Sequence, residues 1–448
     1  MKYTVKDILR FEVKPALGCT EPTAIALGAA AAASLFRKKI IPDTIELWLD
    51  PNVFKNGLAV SIPGTGGLSG LDLASALGVV AGDPLLKMEV LKPVKASHVK
   101  KACQLVAAGR VKVNLLSNIH GLYIKTEIKA GKDTALSVIE ELHDNITKLV
   151  FNGHCIDKSP LLSHGQGKTA ESASDLEKSL KDISMEEVIS LVHEFDTDDL
   201  EFIEKGIGMN MELAYYGLKN KSGLQVGVTL KKLAQQNLIA EDMIYTARML
   251  TSAAADARMS GAGLPAMSSA GSGNHGLTAI LPVKAVADHI KADKKNLCRA
   301  IGLSHIVTAC VKAHTGRLAS ICACSVAAGA GAAAGIAWLM GGTSDQIGGA
   351  IKNIIEDLAG VICDGAKNSC ALKLDTAAGT AVKAALFSMN GLQVKVSDGI
   401  VGETPEKTIR NIGIVSSKGM AETDKIILKI MRDKILSASS LPTAATPH

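Results

Sequence analysis

The chain has 448 residues, 47% of them hydrophobic and 21% charged, and carries a net charge of +5. That length allows two domains and a large buried core, and the mild, evenly spread charge gives no footprint for nucleic acid. Aromatic residues are only 3% against 42 glycines, so the core must come from closely packed helices with small residues between them.

The opening Met1-Lys2-Tyr3-Thr4-Val5-Lys6 has no apolar stretch of the signal-peptide kind. Apolar spacing predicts a first helix over Val5–Glu12 and a second from Glu21 to Phe36, with Thr20 as its N-cap and Pro22 in its first turn. Period-two alternation follows and predicts strands at Thr44–Leu49, Leu58–Ile62, Lys87–Val90, Val111–Leu115 and Leu122–Ile128. Helices are expected between them at Gly70–Ala81, Ala96–Ala108 and Lys132–Leu149, and the polar Asp157–Asp175 reads as a linker. From Met185 the period is helical almost throughout. Helices are expected at Met185–Glu194, Asp199–Tyr216, Gln225–Gln236, Ile239–Leu250, Val283–Ile290, Lys294–Lys312, Val326–Met340, Asp345–Ile362 and Ala371–Met389, with two more in Pro405–Leu436. The expected fold is therefore α+β: a mixed α/β domain over residues 1–180, a larger all-α domain over 181–440, and a frayed tail over 441–448. The segment Leu318–Ser344 has no charge and is long enough to cross a bilayer. It is mostly Ala and Gly, with Trp338 as its sole aromatic anchor, and reads as a buried helix. The basic stretches Arg37–Lys39 and Lys291–Lys295 read as solvated faces.

Nine cysteines occur, an odd number, in a long chain without a secretion signal. Reduced thiols in a cytoplasmic protein are expected, some of them as metal ligands. Three constellations stand out. Cys322-Ala323-Cys324 with Cys363 and Cys370 places thiols at helix ends, where they could converge on a soft metal or an iron–sulfur cluster; without a CxxC pair, buried core cysteines are the competing reading. In Gly18-Cys19-Thr20-Glu21-Pro22 a cysteine precedes a helix, where the helix dipole favours a thiolate; a plain helix cap is the alternative. In Ser268-Ser269-Ala270-Gly271-Ser272-Gly273-Asn274-His275-Gly276 short residues make backbone N–H groups available to a carboxylate, unless the stretch is only a turn. Pro63-Gly64-Thr65-Gly66-Gly67 is a weaker case of the same kind, and His154, His305 and His314 have no ligand spacing with one another.

The stretches Lys14–Pro22, Gly271–Gly276 and Cys363–Cys370 together resemble the L-cysteine desulfidase family, which is similar to the α-chain of iron-dependent L-serine dehydratases. The resemblance covers nearly the whole chain, with the motifs in the family's order. It implies a 4Fe–4S cluster held by three cysteines: Cys363, Cys370 and one of Cys322 and Cys324, with Cys324 the better match. Where serine dehydratases carry a basic histidine after a proline, this sequence aligns Cys19, which the resemblance makes the catalytic base. Some serine dehydratases take a fourth ligand from a C-terminal cysteine. No cysteine follows Cys370 here, so the fourth iron is implied to be open, or held by Cys19 until substrate displaces it. Thr20, Ser272, Asn274 and His275 are the implied substrate contacts. The expected reaction is β-elimination of L-cysteine to hydrogen sulfide, ammonia and pyruvate. The expected partners are a small amino acid and a second copy of the chain in a dimer, with no nucleic acid or membrane. Three rivals remain: an iron-dependent L-serine dehydratase, a pyridoxal-phosphate lyase built on Lys367, and a non-catalytic metal-binding or redox-sensing protein.

Overall fold

The structure, a computed structural model, describes residues 3–116, 119, 121–162, 169–316 and 320–439. Helix α1 (Val5–Glu12) opens with a capping box in which Thr4 and Asp7 satisfy each other's backbone N–H groups. A short strand β1 (Pro15–Leu17) leads into α2 (Thr20–Ala33). Then follow β2 (Thr44–Leu49), α3 (Pro51–Gly57), α4 (Leu71–Ala81), α5 (Ala96–Ala107), β3 (Val111–Leu115), β4 (Tyr123–Ala130), β5 (Asp133–Glu140), β6 (Ile146–Phe151) and β7 (His154–Cys155). The last six strands form one mixed sheet in the order β3-β2-β4-β5-β6-β7, parallel only between β2 and β3. Helices α2 and α4 pack together, with α2 lying against β4 and β5. Ala24, Leu27, Leu47, Leu49, Leu77 and Ile124 close the core between them.

The remainder is helical: α6 (Thr169–Asp182), α7 (Met185–Ser190), α8 (Thr197–Lys219), α9 (Val226–Gln235), α10 (Met243–Met259), then the short strand β8 (Pro265–Met267), α11 (Gly273–Ile290), α12 (Lys294–Thr315), α13 (Ala327–Leu339), α14 (Ser344–Leu358), α15 (Cys370–Met389), α16 (Pro405–Ile414) and α17 (Ala421–Ser439). The fold is α+β, with the mixed sheet in the N-terminal region and helices filling the rest. Helix α13 is the axle, packed against α11, α12, α14 and α15. Its Ala/Gly surface is a packing requirement: a methyl group on Gly331 would sit 2.3 Å from the Ser304 carbonyl oxygen of α12. The charge-free stretch is thus the centre of the helical core, apart from Leu318 and Ala319, which lie outside the described residues. Among the described residues no helix is long and apolar enough to cross a membrane. Val5, Ile8 and Leu9 of α1 also belong to this helical core, not to the sheet.

Several elements differ from their sequence pattern. Lys132–Leu149 is no helix but most of the β5–β6 hairpin. A register shift at Val138/Ile139 buries both of these neighbours, so Ala135, Val138 and Ile139 acquire helix-like spacing while lying in a strand. Lys87–Val90 is a 3-10 turn with Lys87 at φ +48°. Leu58–Ile62 leaves α3 as irregular chain, joined to its surroundings by the single bridge Ser61–Ser69. Helix α3 was not anticipated, although Asp50 caps it and Pro51 starts it. Part of the expected linker is α6, while residues 163–168 and the tail 441–448 lie outside the described residues.

Candidate active site

Strands β1 and β8 form a separate two-stranded antiparallel pair, Pro15 opposite Met267 and Leu17 opposite Pro265. Ser268 strengthens it, its hydroxyl donating to the Lys14 carbonyl at 2.6 Å. This pairing brings the Gly18-Cys19 corner beside the Ser268–Gly276 loop. Gly18 has φ +71°, and a side chain there would meet Pro63 at 2.2 Å, so only glycine turns this corner. Cys19 is the N-cap of α2 and is buried.

On the other side, the chain before α13 meets the chain after α14 at an antiparallel bridge, Ile321 to Ile362. The Cys322 N–H donates to Val361 O at 2.7 Å and the Cys363 N–H to Ser320 O at 2.6 Å. Two backbone hydrogen bonds therefore fix these cysteines side by side, and Cys370 enters from the first turn of α15. Cys19, Cys322, Cys324, Cys363 and Cys370 all line one cavity of about 100 Å3, together with Ser272, Asn274 and His275. Thr20 is absent from this wall, its hydroxyl donating to Glu21 Oε2 at 2.9 Å, and so is Lys367.

Among the described residues no three His, Cys, Asp or Glu side chains gather tightly enough to hold a single metal ion. The Cys324 thiol hydrogen-bonds to Cys322, which lowers Cys322 to about 6 and raises Cys324. Cys324 also feels the charge of Cys322, Cys370 and Cys363, whereas burial is the main force raising Cys363 and, to about 11, Cys370. The donor set is all sulfur, the chemistry that iron–sulfur clusters take.

Cys19 is not the dipole-stabilised thiolate expected. Its Sγ–H donates to Glu21 Oε2 at 3.1 Å, and burial followed by the Glu21 charge raises its pKa well above the usual thiol value. The helix-end field is outweighed by loss of water and a carboxylate in contact. On its other oxygen Glu21 faces His143 Nε2 at 3.9 Å.

Sequence reasoning missed Arg258. It is 2% exposed, lines the cavity, and donates from Nη1 to Asn274 Oδ1 at 2.9 Å and from Nη2 to the Gly18 carbonyl at 2.7 Å. Its Nε is buried and has no hydrogen-bond partner among the described residues. A methyl group on Gly273 would lie 2.3 Å from that Nε, so the glycine at the start of α11 makes room for the guanidinium. The signal that could have revealed it was this glycine opening a helix instead of ending one. His275 is held near pKa 3 by burial and by Lys312, and is therefore neutral; its Nδ1 pairs with the Ser269 carbonyl at 3.1 Å. Ala270, at φ +44°, and Gly271, at φ +81°, turn the loop's backbone sharply toward the same space.

Lys367, the base of the pyridoxal reading, is tied to Asp364 at 2.5 Å and to the Gly365 carbonyl at 3.0 Å, so it braces the cysteine loop. Lys55 of α3 is fully buried and pairs with Asp424 of α17. Asp424→Ala strands that ammonium in the interior and is expected to cost about 3–5 kcal/mol, read as a fall in melting temperature; an unchanged transition would show that Lys55 reaches water.

Residues 87–429 match the serine dehydratase alpha chain family. The chain belongs to this family. The matched region holds the four clustered thiols, Arg258 and the Ser268–Gly276 loop; Cys19 and Glu21 precede it. Relatives of this serine dehydratase alpha chain homologue run its full length. A UPF0597 protein of Desulforapulum autotrophicum is 66% identical over 98% of this chain and 100% of its own. One of Desulfotalea psychrophila is 55% identical over 97% and 99%, and one of Clostridioides difficile 43% identical over 95% and 99%.

Proposed function

We propose that the protein catalyses β-elimination of L-cysteine to hydrogen sulfide, ammonia and pyruvate, with a 4Fe–4S cluster held by Cys324, Cys363 and Cys370. Cys322 is the alternative to Cys324. The observation that carries this reading is one cavity lined by four further thiols, a buried guanidinium and a thiol–carboxylate pair. Such a cluster, with one iron not bound by protein, supplies a Lewis acid for the departing β-substituent.

The chain's own groups account for the rest. Arg258 Nε, a buried donor with no hydrogen-bond partner among the described residues, takes the substrate carboxylate. Ser272, Asn274 and neutral His275 line the same wall and fix its orientation. Cys19 passes its Sγ proton to Glu21 Oε2 across 3.1 Å and accepts the α-proton in its place. The C–H electron pair forms the new Cα–Cβ double bond, and the Cβ–S bond breaks with its pair leaving on sulfur as hydrosulfide. Water then converts the released aminoacrylate to pyruvate and ammonia. Burial of Cys19 keeps bulk water from the proton in transit.

Cysteine is favoured over serine because a thiol of pKa about 8.5 leaves far more readily than hydroxide and soft sulfur suits iron. The family match favours a second reading, serine as substrate. Anaerobically purified protein should contain iron and release sulfide and pyruvate from cysteine in equal amounts. Pyruvate from serine without sulfide from cysteine would establish the dehydratase; iron-free protein inert toward both would remove the enzyme reading.

A further inference from the structure

On the sheet side of the molecule, α2, α4 and α5 all end around a second cavity of about 970 Å3, remote from the thiols. Its floor is apolar: Ala30, Ala33, Val79, Val80 and Leu105. Its wall carries five permanent cations, Arg37, Lys38, Lys39, Lys101 and Arg110, and no Asp or Glu. Arg110 donates to the Pro42 carbonyl at 2.7 Å, and none of the five forms an ion pair among the described residues. Helix C-termini attract cations, each acting as roughly half a negative charge. Three such ends offset about one and a half of the five positive charges, so most of the excess has no partner in the fold. The five equal the net charge of the whole chain, +5. Like charges gathered this way repel one another and contribute nothing to folding without an anion between them.

We propose that this groove binds a small organic polyanion, its charged group against Arg37, Lys38, Lys39, Lys101 and Arg110 and its flat apolar body on the floor. Concavity decides against a membrane or a duplex. The volume lies at the upper end of the range for small-molecule sites, about 300–1,000 Å3, and the exposed cations share its lining with the apolar residues. The basic run Arg37–Lys39 is exposed, as its reading as a solvated face expects, and also lines this cavity. Helix α2 joins the groove to the active site: it ends at Ala33 beside the floor and begins after Cys19, about 20 Å away at 1.5 Å per residue.

The test uses the full chain and three probes: ATP, inorganic triphosphate and adenosine, by calorimetry at low salt. ATP is expected to bind, triphosphate about tenfold or more weakly, and adenosine not measurably. The triple variant Lys38→Glu/Lys39→Glu/Lys101→Glu should lose ATP binding at an unchanged melting temperature. A charge-matched control on α8 and α9, Lys219→Glu/Lys231→Glu/Lys232→Glu, should keep it. Absence of ATP binding at millimolar concentration overturns the proposal, as does equal loss in the control, which would mean general attraction to a basic protein. Equal affinity for triphosphate would remove the apolar floor from the site. Binding to anionic phospholipid vesicles without binding to ATP would replace the small ligand by a membrane.

Discussion

Cys19→Ala is expected to lower sulfide release from cysteine by about 10²–10⁴-fold, the usual contribution of a positioned acid–base group, while leaving iron content unchanged. The thiol and Glu21 both line the cavity, and the Sγ–H···Oε2 contact is the route by which the thiol becomes able to accept a proton. Cys19→Ser tests that route. A hydroxyl keeps the size and the hydrogen bond but is a far weaker acid, so Glu21 cannot draw its proton off and the serine variant should be nearly as slow as alanine. Because Cys324, Cys363 and Cys370 remain in both variants, the anaerobic visible spectrum should match that of the parent. A bleached spectrum would make Cys19 a cluster ligand, and full activity in either variant would end its role as base.

Arg258→Met should raise KM for cysteine by roughly 10- to 200-fold, corresponding to the about 1.5–3 kcal/mol of a charge-assisted hydrogen bond. Methionine keeps the apolar stem of arginine in a site where that stem is packed, and removes the guanidinium. Arg258 also holds the Gly18 carbonyl next to Cys19, so kcat should fall too. The two effects separate with cysteine methyl ester, which lacks the carboxylate charge. Parent and variant should differ much less in KM for the ester than for cysteine, while the kcat difference persists. An equal KM penalty on both substrates would make Arg258 a structural brace alone.

Much of the helical region is legible because a helix buried on one face writes its period into the sequence, as at Val226–Gln235 and Ser344–Leu358. Where that rule weakens, so does the reading. Helix α11 starts ten residues before its apolar period is visible, because its first turn is glycine and polar residues facing the cavity and Pro282 interrupts it. The β5 strand is disguised by its bulge. The thiols could be named from motif and spacing, since cysteine chemistry is narrow. Arg258 could not, because a guanidinium in an alanine-rich helix looks like any surface cation until Gly18 and Asn274 are folded against it. The state of Cys19 was misread for a related reason. The helix start is a local property, while burial and the approach of Glu21 depend on the whole fold.

The two-stranded pairing of β1 with β8 joins the start of the chain to a strand past its midpoint. The thiol-lined wall needs α15 as well, so the corner bearing Cys19 has nothing to face until most of the polypeptide has left the ribosome. Contacts so distant in sequence close slowly. Fragments made early lack the enclosing wall of thiols, so the proposed cluster would be held by the finished molecule and not by the growing one.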